Sequence, residues 1–315
     1  MSDGARPPRI SWPDGKAFAL AIFDDTDLAT LENVRPVYDF LETLGIRSTK
    51  SVWPITGTGT PAFGGATCDD PDYAAWTREL QASGFEIGLH GATFVTSTRE
   101  ETKRGLDRYR ELYGHDPAAH ANHSGCAESI YWGADRITGL NRLVYNVITR
   151  FRRANVFRGH REGDPLFWGD LCRERLRYVR NFTFQDIDTL AACPQMPYHD
   201  PDRPYVQEWF AGSEGSSVEA FNTCLADRNV ERLQAAGSAC IMYTHFAAGF
   251  YRDGRLDPVF QAQMTRLSQR NGWFVPVSEL LDHIRSERGP VVITPGQRDR
   301  IERRWLGSKL RVGHT

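Results

Sequence analysis

The stretch Ala17-Phe-Ala-Leu-Ala-Ile-Phe-Asp-Asp-Thr-Asp27 constrains the fold of this chain more than any other. Its first seven residues carry no charge, and two adjacent carboxylates follow at once. A strand with no polar alternation is buried on both faces, as in a parallel sheet covered by helices. Charge then appears only where the strand leaves the core. In α/β sheets and barrels, the carboxyl ends of the strands are where ligands bind. Asp24 and Asp25 are therefore candidate site residues. A helix cap would use one of the two side chains and leave the other unexplained.

Strand-like segments at residues 47–53, 85–89, 117–122, 143–148, 178–184, 240–243 and 273–275 alternate with helical patterns at 31–44, 73–82, 100–113, 217–236, 257–270 and 278–287. This rhythm predicts an α/β fold, an irregular (β/α) barrel of parallel strands with outer helices, over an open sheet. Residues 1–290 read as a single domain. Residues 55–72, rich in Gly, Thr and Pro, read as a long loop over one barrel mouth, and 193–215 is again loop-like. Residues 150–180 hold nine arginines and read as an insertion. In the tail, 291–315, the part from Gln297 has six basic and two acidic residues around Trp305 and reads as a helix packed on the barrel.

Composition excludes several classes. A net charge of −2 offers nothing to nucleic acid or to an anionic membrane surface. No apolar run approaches the roughly 18 residues that span a bilayer. The six cysteines are scattered, with no C-x-x-C pair, which argues against a zinc knuckle and suits a reduced compartment. With no apolar leader at the N-terminus, the chain reads as cytoplasmic. Self-association is left open.

Four strand-like segments end on a residue able to do acid, base or metal work: Asp24 with Asp25, then His90, then His123, then His245. In a barrel all of them would converge on one mouth, which points to a metal or acid–base site.

In motif order the chain resembles the polysaccharide deacetylase superfamily, the carbohydrate esterases with a chitooligosaccharide-deacetylase homology domain. Phe23-Asp24-Asp25 matches the first motif, and Gly84-Phe-Glu86-Ile-Gly88-Leu-His90 the second. Gly114-His-Asp-Pro117 leading to Ala121-Asn-His123-Ser-Gly125 stands at the third, and Tyr243-Thr-His245 at the last. The resemblance implies the deacetylase barrel, with Asp24 as general base, Asp25 and His90 on a metal, and His245 as general acid. Two departures stand out: Phe94 occupies the place of the family's second metal histidine, and Ala121 that of an arginine. Asp27 and His123 are additions. The expected ligand set is thus Asp25, His90 and His123 around a divalent ion, Zn first and Ni, Co or Fe as alternatives, with Asp27 in reserve.

The implied activity is hydrolysis of an acyl group, N-acetyl above all, from a saccharide or nucleotide sugar, as in making surface polysaccharide. Two alternatives are a metal-free carbohydrate-binding or scaffolding barrel and a barrel that cleaves glycosidic bonds with two carboxylates. Trp53, Trp132 and Trp168 are candidate sugar platforms, together with Tyr131, Phe167, Tyr198 and Trp209. His160, Asp164, Asp170, Asp186 and Asp188 are secondary site candidates. The arginines of 150–180 either meet an anionic sugar group or form a solvated face.

Overall fold

The computed structural model describes residues 10–61 and 63–312, with side chains to Leu310. Seven parallel strands form a ring: β1 (Phe18–Asp24), β2 (Thr49–Val52), β3 (Glu86–Leu89), β4 (Ala119–Ala121), β5 (Tyr178–Phe184), β6 (Glu208–Gly215) and β7 (Ala239–Thr244). Each pairs with the next, and β7 closes on β1 from Ala19↔Ala239 to Asp24↔Thr244. A small hairpin, β8 (Tyr251–Arg252) with β9 (Arg255–Leu256), lies outside the ring. The short β10 (Gly272–Phe274) runs parallel beside Phe18–Leu20, while the same edge of β1 reaches β2 only at Phe23 and Asp24. The barrel is thus wedged open at its base and closed at its top.

Every residue of β1 is buried. Phe18, Leu20, Ile22 and Phe23 are at most 1% exposed, and such burial is worth about 1.5–3 kcal/mol for each side chain. The following helix, Leu31–Thr43, starts at a Thr30–Asn33 capping box and turns Val34, Val37, Tyr38 and Leu41 inward. The helix Arg99–Tyr113 has the same kind of start, at Thr98 and Glu101, and ends on Gly114 in the left-handed region.

Three expectations need correction. Residues 143–148 are not a strand but the end of the helix Gly139–Ile148, because Leu140, Leu143, Val144 and Val147 recur at helical spacing; these four side chains are exposed. The segment 193–215, read as a loop, contains β6, whose Trp209-Phe-Ala core was masked by the Pro and Gly around it. The helical pattern 217–236 is two helices, Val218–Cys224 and Asp227–Ala236. The tail forms the helix Pro295–Val312, which packs on the helix Gly139–Ile148 and on β5. Its Trp305 is fully buried, with its ring 5.2 Å from Phe182 and 5.7 Å from Tyr145. No helix among the described residues is long and apolar enough to cross a membrane.

A candidate metal and acid–base site at the barrel mouth

Successive side chains along a strand point to opposite faces, and this rule sorts the carboxylates that end β1. Phe23 faces Phe210 across the barrel. Asp24 points the other way, into the layer between the strand and its helix. There one oxygen accepts the Phe246 N–H at 2.7 Å, and the other meets Tyr38 Oη at 2.9 Å and Lys50 Nζ at 3.0 Å. Lys50 stands beside Asp24 in the β1–β2 register, and both side chains are buried. Asp24, expected as the general base, is therefore held in a packing layer and does not line the cavity above the barrel.

Asp25 and Asp27 do line that cavity, which has a volume of about 390 Å³. Arg180, from β5, grips Asp25 with both terminal nitrogens, at 2.9 and 2.5 Å. Burial would raise the Asp25 pKa, but Arg180 and His90 outweigh it and hold the carboxyl below its usual range. Asp27 is the hub. His90 Nε2 lies 3.1 Å from Asp27 Oδ2, His123 Nε2 2.7 Å from Oδ1, and His245 Nε2 3.2 Å from Oδ2. Burial is again overcome, here by the three imidazoles, and the Asp27 pKa lies far below the ordinary carboxylate range.

His90 and His123 leave the ends of β3 and β4, with ring centroids 5.2 Å apart. Trp53 lies behind both, and its indole N–H donates to the His90 carbonyl at 3.0 Å. Phe94 meets Trp53 edge-on and adds to this apolar wall. On the other side, His245 is fixed by Nδ1 on the Ser216 carbonyl at 2.8 Å. Burial would lower its pKa, but Asp27 and Asp25 push it up to about 9.

Asp27, His90 and His123 each offer a ligand atom within 4.8 Å of the others, and all three are buried. The two imidazoles approach the Asp27 carboxylate on different oxygens, His90 Nε2 at 3.1 Å from Oδ2 and His123 Nε2 at 2.7 Å from Oδ1, so three donors already converge on one small space. One carboxylate with two imidazoles is a donor set that fits a borderline divalent ion. In the expected set Asp25 held this place. Its occupation by Arg180 and its 3.9 Å separation from His90 Nδ1 favour Asp27 instead.

The remaining candidates separate cleanly. Trp132 lines the cavity. Trp53 and Trp168 are buried, the latter donating to the Glu128 carbonyl, so neither is a sugar platform. Tyr198 and Trp209 are core. Asp170 makes a surface ion pair with Arg99, and Asp186 one with Arg232; both lie away from the cavity. Most arginines of 150–180 are also in ion pairs, as Arg161 with Asp135 and Arg175 with Asp107 and Asp116. Arg153, Arg180 and Tyr243 reach the cavity, as do Arg136, Glu214 and Lys309, which the sequence did not single out. For Arg180 a signal was present, since a charge in mid-strand of a closed barrel must be paired.

No protein-family model matches the sequence, and no curated protein matches it. Among solved structures, a Mycobacterium smegmatis protein assigned as a polysaccharide deacetylase shares the fold. Its TM-score is 0.51 at 13% identity, over 91% of this chain and 98% of that one. Two more distant structures are the catalytic domain of a peptidoglycan N-acetylglucosamine deacetylase from Eubacterium rectale and a family 4 acetyl xylan esterase from Clostridium thermocellum. The first has a TM-score of 0.39 at 13% identity, over 86% of this chain and 92% of that one. The second has a TM-score of 0.37 at 13% identity, over 88% and 98%.

Proposed function

We propose that the protein is a metal-dependent hydrolase that removes an acyl group, N-acetyl above all, from a saccharide or sugar precursor. The observation that carries this reading is the meeting of Asp27, His90 and His123 with Asp25 and His245 at one strand-end cavity. The fold shared with the mycobacterial protein supports it.

Asp27, His90 and His123 would hold the ion, Zn by preference and Ni, Co or Fe as alternatives. When bound, a divalent ion at these residues polarises an acyl carbonyl and lowers the pKa of water in the site. Asp25 takes the proton of the attacking water. Each of its oxygens keeps a lone pair outside the Arg180 fork, and the fork fixes the direction of the carboxylate. His245, held at Nδ1 by Ser216, gives the Nε2 proton to the departing amine or alcohol. Groups placed in this way contribute about 10²–10⁴-fold each. The role expected of Asp24 thus passes to Asp25, and that of Asp25 to Asp27.

Metal analysis of the purified protein together with an acetate-release screen on acetylated sugars tests this. We expect a stoichiometric divalent ion, lost in Asp27→Ala, and acetate release that depends on it. A protein that binds no such ion and frees no acetate would leave only the carbohydrate-binding reading. Cleavage of sugar–sugar bonds without acetate would instead establish the glycosidase one.

A further inference from the structure

We propose that this site is built for a small anionic substrate, whose carboxylate or phosphate is bound by Arg136 with Arg153 and Lys309 beside it. The word substrate rests on the hydrolase reading above. The anion site itself rests on the cavity.

Arg136 is 7% exposed and lies between two indoles, 4.1 Å from the Trp132 ring centroid and 4.4 Å from that of Trp305. Stacking of this kind occupies the two faces of a guanidinium and leaves the N–H donors around its edge available for bonds in its plane. Among the described residues no carboxylate lies within ion-pair distance of Arg136, and its Nε, buried, has no hydrogen-bond partner. Arginine does not escape this by losing its proton. A buried guanidinium that meets the neutral Tyr145 side chain but no carboxylate among the described residues is costly, and a wall that holds one rigidly is prepared for a counter-charge from outside the chain.

The neighbours point the same way. Four fixed cations, Arg136, Arg153, Arg180 and Lys309, line the cavity against three carboxylates, Asp25, Asp27 and Glu214. Arg180 is committed to Asp25, and Lys309 stands 3.8 Å from Glu214. Arg136 and Arg153 remain uncompensated, and a divalent ion at Asp27 would add to the excess. Burial and repulsion from Arg153 and Arg180 pull the Arg136 pKa below its ordinary value, against Tyr145. Burial does the same to Lys309, opposed by Glu214 and aided by Arg136. An anion would relieve every one of these strains.

The size and the fixed walls of the cavity argue for a small molecule over a long polymer. Trp132 and Arg136 belong to the segment between β4 and β5, and Trp305 and Lys309 to the C-terminal helix. Glu302 joins these two walls by accepting from Thr138 N and Asn141 Nδ2, each at 3.0 Å. At Gly133 (φ +60) a Cβ would stand 2.7 Å from the Phe157 ring, so the wall closes against Phe157 only with glycine there. The cavity of about 390 Å³ is of the size that encloses small ligands.

Calorimetric titration of the whole protein with glucose 6-phosphate, glucuronate and glucose tests the inference without needing turnover. Phosphate and carboxylate are thereby compared on one sugar, with the neutral sugar as reference. We expect one or both anionic sugars to bind about 10–100-fold more tightly than glucose, and Arg136→Met to remove that difference, as loss of a hydrogen bond to a charged group predicts. Arg136→Lys should restore part of it. A purely structural Arg136, bolting two indoles together, would leave anionic and neutral sugars equal in the wild type. Should Arg136→Met fail to fold, Arg153→Ala, on a less buried residue, should still weaken the anionic sugars selectively. Equal binding of all three sugars to the wild type overturns the proposal, as does an anion preference unchanged in both variants. Selective anion binding without any acyl release would uphold the anion site and count against the hydrolase. Acyl release as fast from neutral as from anionic acetyl sugars would do the reverse.

Discussion

Asp24→Asn separates a structural carboxylate from a catalytic one. Asp24 and Lys50 form an ion pair whose side chains are 1% and 0% exposed, and three donors, from Phe246, Tyr38 and Lys50, converge on the two carboxylate oxygens. An amide offers one oxygen and turns its NH₂ either toward the Phe246 N–H or toward the Lys50 ammonium. Either way a buried donor faces a donor. Breaking a buried pair by removing one partner costs about 3–5 kcal/mol, a large part of the roughly 5–15 kcal/mol by which domains are stable. For a chain of this size that lowers the melting temperature by about 5–8 °C. Asp24→Asn with Lys50→Met removes both charges and should melt above Asp24→Asn alone. The assay is thermal unfolding followed by circular dichroism, with metal content and acetate release measured well below the transition. Wild-type melting with selective loss of turnover in Asp24→Asn would refute the placement of Asp24 and return it to the chemistry.

Asp27→Asn should lose the metal ion, whereas Asp25→Asn should keep it while acetate release falls about 10²–10⁴-fold; elemental analysis beside the rate distinguishes them. Burial pushes the Glu128 carboxyl up to about 8. The folded state therefore keeps a proton that the unfolded state releases from about pH 4.5, and stability should fall by up to a few kcal/mol as pH rises from about 4.5 to 8. Glu128→Gln should flatten that slope in urea melts at pH 5.5 and 8.5 (roughly the two sides of the window). Asp170→Ala removes only an exposed pair with Arg99 and should change stability by less than about 1 kcal/mol and acetate release not at all.

Much of the fold was legible because it depends on short-range pattern. An uncharged run ending in carboxylates marked β1, and Gly84-Phe-Glu86-Ile-Gly88 marked β3 and the exit of His90. Residues 143–148 misled because β-branched content and helical spacing coexist there, and packing on the C-terminal helix favours the helix. At the site, His90, His123 and His245 meet as their strand-end positions foretold. The partition of the acids was harder to read: Asp24, Asp25 and Asp27 are alike in composition but differ in direction.

The chain by itself determined where the chemistry gathers, since buried strands can carry charge only at their ends and those ends share one rim. It determined the stock of carboxylates and imidazoles as well. Which of them face inward was decided by the pleat at the end of β1 and by what awaited each side chain, Lys50 on one face and Arg180 on the other. Only the closed tertiary structure made a wall from Arg136 and Lys309. They come from distant segments whose meeting depends on long-range packing around Glu302 and Trp305, which no local period records.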